Sequence, residues 1–426
     1  MIDGFRSRRR MDPGLRPVDK HLRDKVVVGN HSADRQQFQP PTAVASEEEK
    51  QPETATAGIL TPRATEKPES FWEKLRNLDK KQWAIIIGVL VLLIGGGIAA
   101  FLVLHKSPQP VAKKTTTTKS QNMVPPTQPT TVASTMSGLQ VDPSVNERTV
   151  TGIMVENSEL ARPQSGIDQA DVVFEAVAEG GITRFLLLFQ DNAPGYVGPV
   201  RSVRPYYISW ALGFDAAIAH VGGSPEGLQD MKKAKDLDQF TNGSFFHRIS
   251  SRYAPHNVYT SIANMNQLEI QKNFGKSKYT PLLRRAETPS KTPNAKSIDL
   301  TISSSAFNVH YDYDPGTNTY KRSEGGAPHM VVDEQGNQTQ LHPKVVVALT
   351  MDQGIAPDDL HTSYGTLGFG HAYVFQDGNV AEATWKKSST SGNFTFTDSK
   401  GAPLGLNPGQ TWFTAVNSND HVSYKP

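Results

Sequence analysis

A predicted β-hairpin carries charged side chains that could take part in catalysis or in ligand binding. Residues 171–190 contain two strand-like runs around a Gly-Gly pair, a pattern that predicts a tight turn of the primed type. A simple two-residue register would place Arg184 diagonal to both Glu175 and Glu179 on one face. A carboxylate there could act as a general acid or base, and the guanidinium could hold an anion. The alternative is a salt-bridge ladder on a solvated face. The same register predicts a buried opposite face made of Phe174, Ala176, Ala178, Phe185, Leu187 and Phe189.

Two further arginines stand directly before a predicted helix. The segment GPVRSVRP places Arg201 and Arg204 in a turn, and Pro205 suits the first position of a helix that runs to Leu212. Because helix N-termini favour anions, this pair is more typical of a phosphate or carboxylate receptor than of a structural pair.

A glycine turn follows a predicted buried strand at residues 215–221. After Gly222 and Gly223, Ser224 can cap a helix that begins at Pro225. A strand, a glycine turn and a helix N-terminus form a possible anion site, although the spacing is neither Walker A nor GxGxxG. His220 precedes the turn and is a catalytic candidate; the alternative is a structural hydrogen-bond partner.

The segment RYAPHNVY, residues 252–259, is a polar loop broken by proline before a helix capped near Thr260. Loops carry binding and catalytic residues disproportionately. The predicted ligand-binding residues are Arg184, Arg201, Arg204, Ser224, Arg252, His256 and Asn257. The candidates for catalysis are Glu175, Glu179 and His220, and the sequence predicts neither a metal site nor a cofactor.

Two folded regions would position these residues. Residues 147–285 mix strand and helix patterns and predict an α+β (mixed α/β) domain whose sheet contains the hairpin. Residues 290–426 predict a mostly-β domain. The strand-like segments of this second region are 297–303, 308–313, 345–351, a hairpin over 372–385, 395–397 and 411–416.

A long apolar segment precedes both regions. Residues 84–104 carry no charged side chain, and 21 helical residues would reach roughly 31 Å, close to the thickness of a bilayer core. We therefore predict one transmembrane helix at 83–105. Residues 1–82 contain few large apolar residues, which predicts a disordered tail. Six Lys and Arg in the twenty or so residues before the apolar segment, against four after it, predict that this tail is cytoplasmic. A Thr- and Pro-rich linker at 106–146 would then lead to extracytoplasmic domains.

Composition excludes several classes of protein. The formal net charge is only +2, which gives no reason to expect a nucleic-acid partner. The chain has no cysteine, so disulfides, thiol catalysis and a lipid-modified cysteine are excluded. The motifs G-x-S-x-G, H-E-x-x-H and Walker A are also absent from the sequence.

Several distinctive strings occur in an order that resembles one family, the YerB-like bacterial lipoproteins with the domain of unknown function 3048. They are ENSELARPQSG, ADVVFEAVAEGGITRFLLLF, GPVRSVRPYY, AHVGGSPEGL, APHNVY, HAYVFQDGNVAEATWKK and LNPGQTWF, spread over about residues 147–420. The resemblance implies a two-part extracytoplasmic envelope protein of unestablished activity. This chain lacks the lipobox cysteine of those lipoproteins, so the predicted helix would replace the lipid anchor.

Three functional hypotheses follow. The first is a membrane-anchored envelope protein that binds an anionic or glycan ligand, such as a wall polymer or a lipid-linked anion. The second is an envelope enzyme, either a hydrolase or a phosphotransferase. Arginines at loop ends before a Gly-Gly turn are similar to those of LytR-CpsA-Psr phosphotransferases, although the acidic metal-binding pattern of that family is not evident. The third is a structural scaffold.

Overall fold

The computed structural model describes residues 130–426, together with Asp79 and Gln82. The predicted tail at 1–82, apart from these two residues, the predicted transmembrane helix at 83–105 and residues 106–129 of the predicted linker lie outside the described residues. Within the described part of the chain, no helix is both long and apolar enough to span a bilayer.

Strands dominate the described region. The first eleven are β1 Val132–Ala133, β2 Gln140–Val141, β3 Thr151–Glu156, β4 Val172–Glu179, β5 Ile182–Phe189, β6 Ala217–His220, β7 Lys235–Asp238, β8 His247–Arg248, β9 Val258–Tyr259, β10 Ser297–Leu300 and β11 Val309–Asp314. The next twelve are β12 Thr319–Glu324, β13 Ala327–Pro328, β14 Met330–Val332, β15 Gln338–Gln340, β16 Val345–Thr350, β17 Gln353–Ile355, β18 Thr362–Tyr364, β19 Gly368–Gln376, β20 Asn379–Lys387, β21 Thr395–Asp398, β22 Thr411–Val416 and β23 Val422–Lys425. The α-helices of residues 130–426 are α1 Pro205–Leu212, α2 Pro225–Met231 and α3 Ile262–Gln271. The fold is thus mixed and mostly β, with its α-helices in the first predicted region.

One ten-stranded sheet contains strands from both predicted regions. Its order is β21-β20-β19-β16-β22-β4-β5-β3-β6-β7. Strand β22, near the C-terminus, lies between β16 and β4 and pairs in parallel with both. The predicted domain boundaries stay predictions, but the hydrogen-bonded sheet is shared by the two regions.

Each face of this sheet is covered by a different set of elements. On one face, α1 packs Trp210 against Phe174, whose ring stacks on Phe413 of β22. On the other face, α3 packs against β3 and the edge strand β7. A five-stranded sheet of order β13-β12-β11-β10-β23 packs on the strands contributed by the C-terminal region, with Tyr311 and Val346 in the shared core. Both faces are therefore buried along the central strands from β16 to β6, whereas β20 carries exposed residues.

Folded structure begins earlier than the linker prediction placed it. The linker was expected to extend to residue 146, but β1 and β2 already pair there and Met136 is fully buried. The hydroxyl groups of Ser134 and Ser137 both donate to Asp191, which follows β5 by two residues. These contacts tie the segment 132–147 to the sheet.

The β4–β5 hairpin has the predicted turn but a different register. Gly180 and Gly181 both have positive φ, and Glu179 pairs with Ile182, as expected. A β-bulge at residue 178 then shifts the pairing, so Ala176 rather than Val177 lies opposite Arg184.

This shift contradicts the predicted faces of the hairpin. Glu175 lies opposite Phe185 and belongs to the face away from Arg184, while Phe174 and Phe185 belong to different core clusters. The prediction that Glu175, Glu179 and Arg184 share one face is wrong for Glu175. The alternative of a solvated face is also wrong, because both faces are covered.

Candidate functional site

Two predicted arginines meet on a single carboxylate. The bulge turns Glu179 toward the face of Arg184, and Arg184 Nη2 lies 2.9 Å from Glu179 Oε1. Arg204, directly before α1, places its Nη2 2.6 Å and its Nε 3.1 Å from Glu179 Oε2. Both arginine side chains are almost fully buried, whereas that of Glu179 is 30% exposed. One carboxylate thus faces two guanidinium groups at the edge of the solvent.

The third predicted arginine, Arg201, belongs to a neighbouring ion pair. Its Nε lies 3.2 Å from Oε2 of Glu156, the last residue of β3, and its side chain is 24% exposed. His256 Nδ1 lies 2.9 Å from the same oxygen, and Ser158 Oγ donates to Glu156 Oε1. Despite its short distance to the carboxylate, Arg201 Nε makes no hydrogen bond to any described residue.

Arg201 lines a cleft of about 380 Å³, which we call the arginine cleft. Arg248 of β8 lines the same cleft, as do the backbone of Gly222 and Gly223 and the ring of Phe240. The Phe240 side chain is largely exposed although it packs against the Gly222 turn. The cleft therefore combines two guanidinium groups with an exposed aromatic surface.

Burial and neighbouring charges shift the pKa values of three residues at this site. Burial lowers the pKa of Arg201; the Glu156 carboxylate offsets part of that shift, and nearby Arg184 adds to it. Burial and Arg184 likewise lower the pKa of Arg204, against the effect of Glu179. Burial raises the pKa of Glu179, but its two arginine partners outweigh this and hold it below its usual range. Arg184 thus repels both Arg201 and Arg204, while Glu156 and Glu179 offset part of this repulsion and part of the cost of burial.

The glycine turn is positioned as predicted, but its neighbours have structural roles. His220 is fully buried and its ring bridges Gly222 O at 2.8 Å and Asp236 Oδ1 at 3.0 Å. Ser224 caps α2 by accepting a hydrogen bond from Gly227 N. Helix α2 has only seven residues, so the predicted anion site at its N-terminus is poorly supported. A Cβ atom at Gly223 would lie 2.9 Å from Val203 Cγ1, which explains the need for glycine there.

The residues of the RYAPHNVY loop separate into two groups. His256 reaches the Glu156 carboxylate beside Arg201. Arg252 points elsewhere and donates to the carbonyl oxygens of Ala161 and Pro163. Asn257 Oδ1 accepts from Arg248 at 2.7 Å, so it positions a residue of the cleft.

Glu175 lies in the interior, away from the arginine cleft. It has no exposed surface, and Oε1 is 2.9 Å from Arg322 Nη2 while Oε2 accepts from Trp412 Nε1 at 3.0 Å. Substrate cannot reach such a group in this conformation, so the geometry does not support the predicted acid–base role of Glu175.

Sequence reasoning missed Glu156, Arg248 and Phe240. Glu156 ends an apolar strand, and a charged residue at a strand end was a usable signal. Arg248 and Phe240 lie in segments without a recognisable motif, and only the tertiary fold brings them beside Arg201.

Comparisons with known proteins agree with this architecture. Residues 136–277 match the family model described as "Protein of unknown function (DUF3048) N-terminal domain", and residues 298–413 match its C-terminal counterpart. The chain is 33% identical over 301 residues to the "Putative lipoprotein YerB" of Bacillus subtilis (strain 168), an alignment that covers 68% of this chain and 87% of that protein. The crystal structure of YerB from Bacillus subtilis is similar, with a TM-score of 0.62 at 31% identity, covering 69% of this chain and 100% of the solved one.

Proposed function

Because this chain belongs to the YerB-like DUF3048 family, whose activity is unestablished, we propose its function from its own site: it binds an anionic ligand in the arginine cleft. The observation that carries this proposal is the imbalance of charge. Arg201 and Arg248 line the cleft, and Arg184 and Arg204 lie close to Arg201 in ion pairs with Glu179. The carboxylates paired with these arginines are those of Glu156 and Glu179. Arginine forks suit the oxygens of phosphates and carboxylates.

The ligand that we propose is a phosphate-bearing or otherwise anionic envelope molecule, either a wall polymer or a lipid-linked precursor. The exposed ring of Phe240 beside the guanidinium groups supports a ligand with both a charged part and an apolar or sugar surface. The proposed ligand is not a nucleic acid, because the formal net charge of only +2 gives no reason to expect one.

The proposal also includes the location of the protein in the cell. The apolar segment 84–104 is long enough to cross a bilayer, and the Bacillus subtilis relative is named a lipoprotein. We infer a single-pass membrane protein with a cytoplasmic N-terminus, whose arginine cleft faces the envelope.

The test is a calorimetric titration of the full chain in detergent micelles with inorganic pyrophosphate. We expect saturable binding that weakens as salt rises, and Arg201→Ala should reduce the affinity about ten-fold or more, because a charge-assisted hydrogen bond contributes roughly 1.5–3 kcal/mol. The matched control is Lys291→Ala, which removes one positive charge from an exposed loop outside the cleft. Equal losses in both variants would point to diffuse electrostatics and would contradict the proposal.

The enzyme alternative can be examined in the same samples. Glu179 is the more accessible of the two carboxylates predicted for acid–base chemistry, and its lowered pKa keeps it ionised. A hydrolase would convert pyrophosphate to orthophosphate, visible by ³¹P NMR, and Glu179→Gln would stop that conversion. Binding of pyrophosphate without its hydrolysis supports the binding function over the hydrolase alternative.

A further inference from the structure

A second pocket, with different chemistry, lies where the loop after β3 meets β12, β13 and β14. It measures about 310 Å³ and shares no lining residue with the arginine cleft. Its walls include the apolar surfaces of Pro163, Pro328 and Met330, and Gln338 adds an amide. Glu324, the last residue of β12, also lines it, and we call it the Glu324 pocket.

The Glu324 carboxylate has one satisfied oxygen and one unsatisfied oxygen. Asn157 Nδ2 donates to Oε1 at 2.6 Å, and Arg162 Nη2 lies 3.3 Å from the same atom. Oε2 makes no hydrogen bond to any residue in the described part of the chain, although the side chain is only 2% exposed. A buried carboxylate oxygen without a donor is costly, so this atom calls for an explanation.

The nearest candidate donor, His329, is already committed. Arg322 Nε donates to His329 Nδ1 at 2.9 Å, so that nitrogen carries no proton. The other ring nitrogen, Nε2, lies 3.0 Å from Gln164 Oε1 and donates to it. Burial and Arg322 hold the pKa of His329 well below its usual range, so the ring is neutral. His329 Nδ1 therefore cannot donate to Glu324 Oε2, although the two atoms are only 3.3 Å apart.

Charges around the pocket already balance. The guanidinium groups of Arg162 and Arg322 face the carboxylates of Glu175 and Glu324. Burial and the nearby Glu175 carboxylate raise the pKa of Glu324 to about 7, although Arg322, Arg162 and the Asn157 amide act against this shift. A ligand that complements this pocket should bring a hydrogen-bond donor without a net charge.

We propose that the Glu324 pocket binds an uncharged, hydroxyl-bearing ring molecule, a single saccharide unit, one of whose hydroxyl groups donates to the Glu324 carboxylate. The ring's C–H surfaces would pack on the apolar walls, and Gln338 at the rim would bond a second hydroxyl. The pocket's volume is within the range usual for small-ligand sites, and such sites form preferentially where two structural units meet. This site is independent of the arginine cleft and would hold whether or not that cleft binds an anion.

Met330 provides a local reporter for the test. The full chain in detergent micelles, labelled with ¹³C at the methionine methyl groups, is titrated with three probes that share one pyranose ring: N-acetylglucosamine (uncharged), glucosamine (cationic) and glucuronate (anionic). The Met330 signal is identified by its loss in Met330→Leu. We expect N-acetylglucosamine to move this signal in a saturable way and the charged sugars to move it much less.

Two variants separate binding from folding. At pH 8, where Glu324 is mostly ionised, Glu324→Gln removes the carboxylate acceptor and should weaken N-acetylglucosamine binding about ten-fold or more. Ala327 is exposed on β13, so Ala327→Trp should fill the pocket without touching the buried charges, and it should abolish the shift even if the glutamine variant fails to fold. Arg201→Ala should leave the shift unchanged. An unmoved Met330 signal, a response to glucosamine alone, or equal shifts in wild type and Ala327→Trp would each overturn the proposal.

Discussion

Glu175 and Arg322 form an ion pair in which neither side chain has any exposed surface, with 2.9 Å between Oε1 and Nη2. Glu175 lies on β4 and Arg322 lies on β12, 147 residues apart in sequence. The arginine also stacks over the Trp412 ring, 4.4 Å from its centroid. Through these two contacts, Arg322 links the five-stranded sheet to strands β4 and β22 of the ten-stranded sheet.

Loss of this pair should destabilise the whole described unit. Glu175→Gln would leave Arg322 as a buried charge without its strongest partner, which typically costs about 3–5 kcal/mol. We expect the urea midpoint to fall, with one cooperative transition, because the pair links the elements that would otherwise unfold separately. A matched control is Glu382→Gln, which changes an exposed carboxylate on β20. A midpoint equal to that of the control would contradict the structural role of the pair.

Stability should increase as the pH falls from 8 to 6. Burial raises the pKa of Glu269 to about 7, and burial together with Asp191 raises that of Asp171 to about 8. The pKa values of these two groups in the folded state lie above those in the unfolded state. Their contribution to the free energy of unfolding is therefore complete below about pH 4 and is lost as the pH rises through 7 and 8.

Glu269→Gln tests the sign of this dependence. The amide mimics the protonated acid beside Thr151 Oγ1, which lies 2.8 Å from Glu269 Oε1. We expect the variant to be more stable than wild type at pH 8, by on the order of 1–3 kcal/mol, and to show a flatter profile between pH 6 and 8. Urea unfolding at the two pH values measures this, and a variant that is less stable at pH 8 would show that the carboxylate is stabilised by ionisation.

Arg252 should matter for folding rather than for binding. It was predicted to bind ligand, but it holds two backbone carbonyl groups of the loop after β3. We expect Arg252→Ala to lower the free energy of unfolding by about 2–4 kcal/mol and to leave pyrophosphate affinity in the folded protein within two-fold of wild type. A variant as stable as wild type that had lost its affinity for pyrophosphate would instead show that Arg252 belongs to the binding site.

Two glycines with positive φ should differ in their tolerance of alanine. At Gly378, in the β19–β20 turn, a Cβ atom would lie 2.6 Å from Tyr313 Cε1. At Gly180, in the β4–β5 turn, nothing lies within 4 Å of that position. Gly180→Ala should cost about 1 kcal/mol from backbone strain alone, and Gly378→Ala should cost clearly more. Equal midpoints in thermal unfolding would contradict the contact at Gly378.

The sequence predicted the fold where local signals were strong. Pro205 begins α1, the two glycines form the primed turn, and β22 has the predicted bounds, Thr411–Val416. The bulge at residue 178 was not predictable, since β4 is buried on both faces and has no regular polar–apolar alternation that an inserted residue could interrupt.

The strand β12 was missed for a different physical reason. Its sequence, TYKRSE, contains three charged residues and suggests an exposed turn, yet Arg322 and Glu324 are buried. Their partners come from β4 and from the loop after β3. Burial of charge depends on such distant partners, so no local pattern could predict it. The Glu324 pocket could not be predicted from the sequence for the same reason.

The most direct test of the arginine cleft is the NMR signal of the Arg201 Nε–H group, identified by its absence in Arg201→Lys. Arg201 lines the cleft and its Nε lies 3.2 Å from Glu156 Oε2, so an anion bound to this guanidinium group would change the surroundings of the Nε–H proton. We predict that pyrophosphate shifts the Arg201 signal in a saturable way, with the same affinity that calorimetry gives, while the Arg252 signal stays in place. Heat of binding without any change at Arg201 would contradict the account, because the anion would then be bound elsewhere.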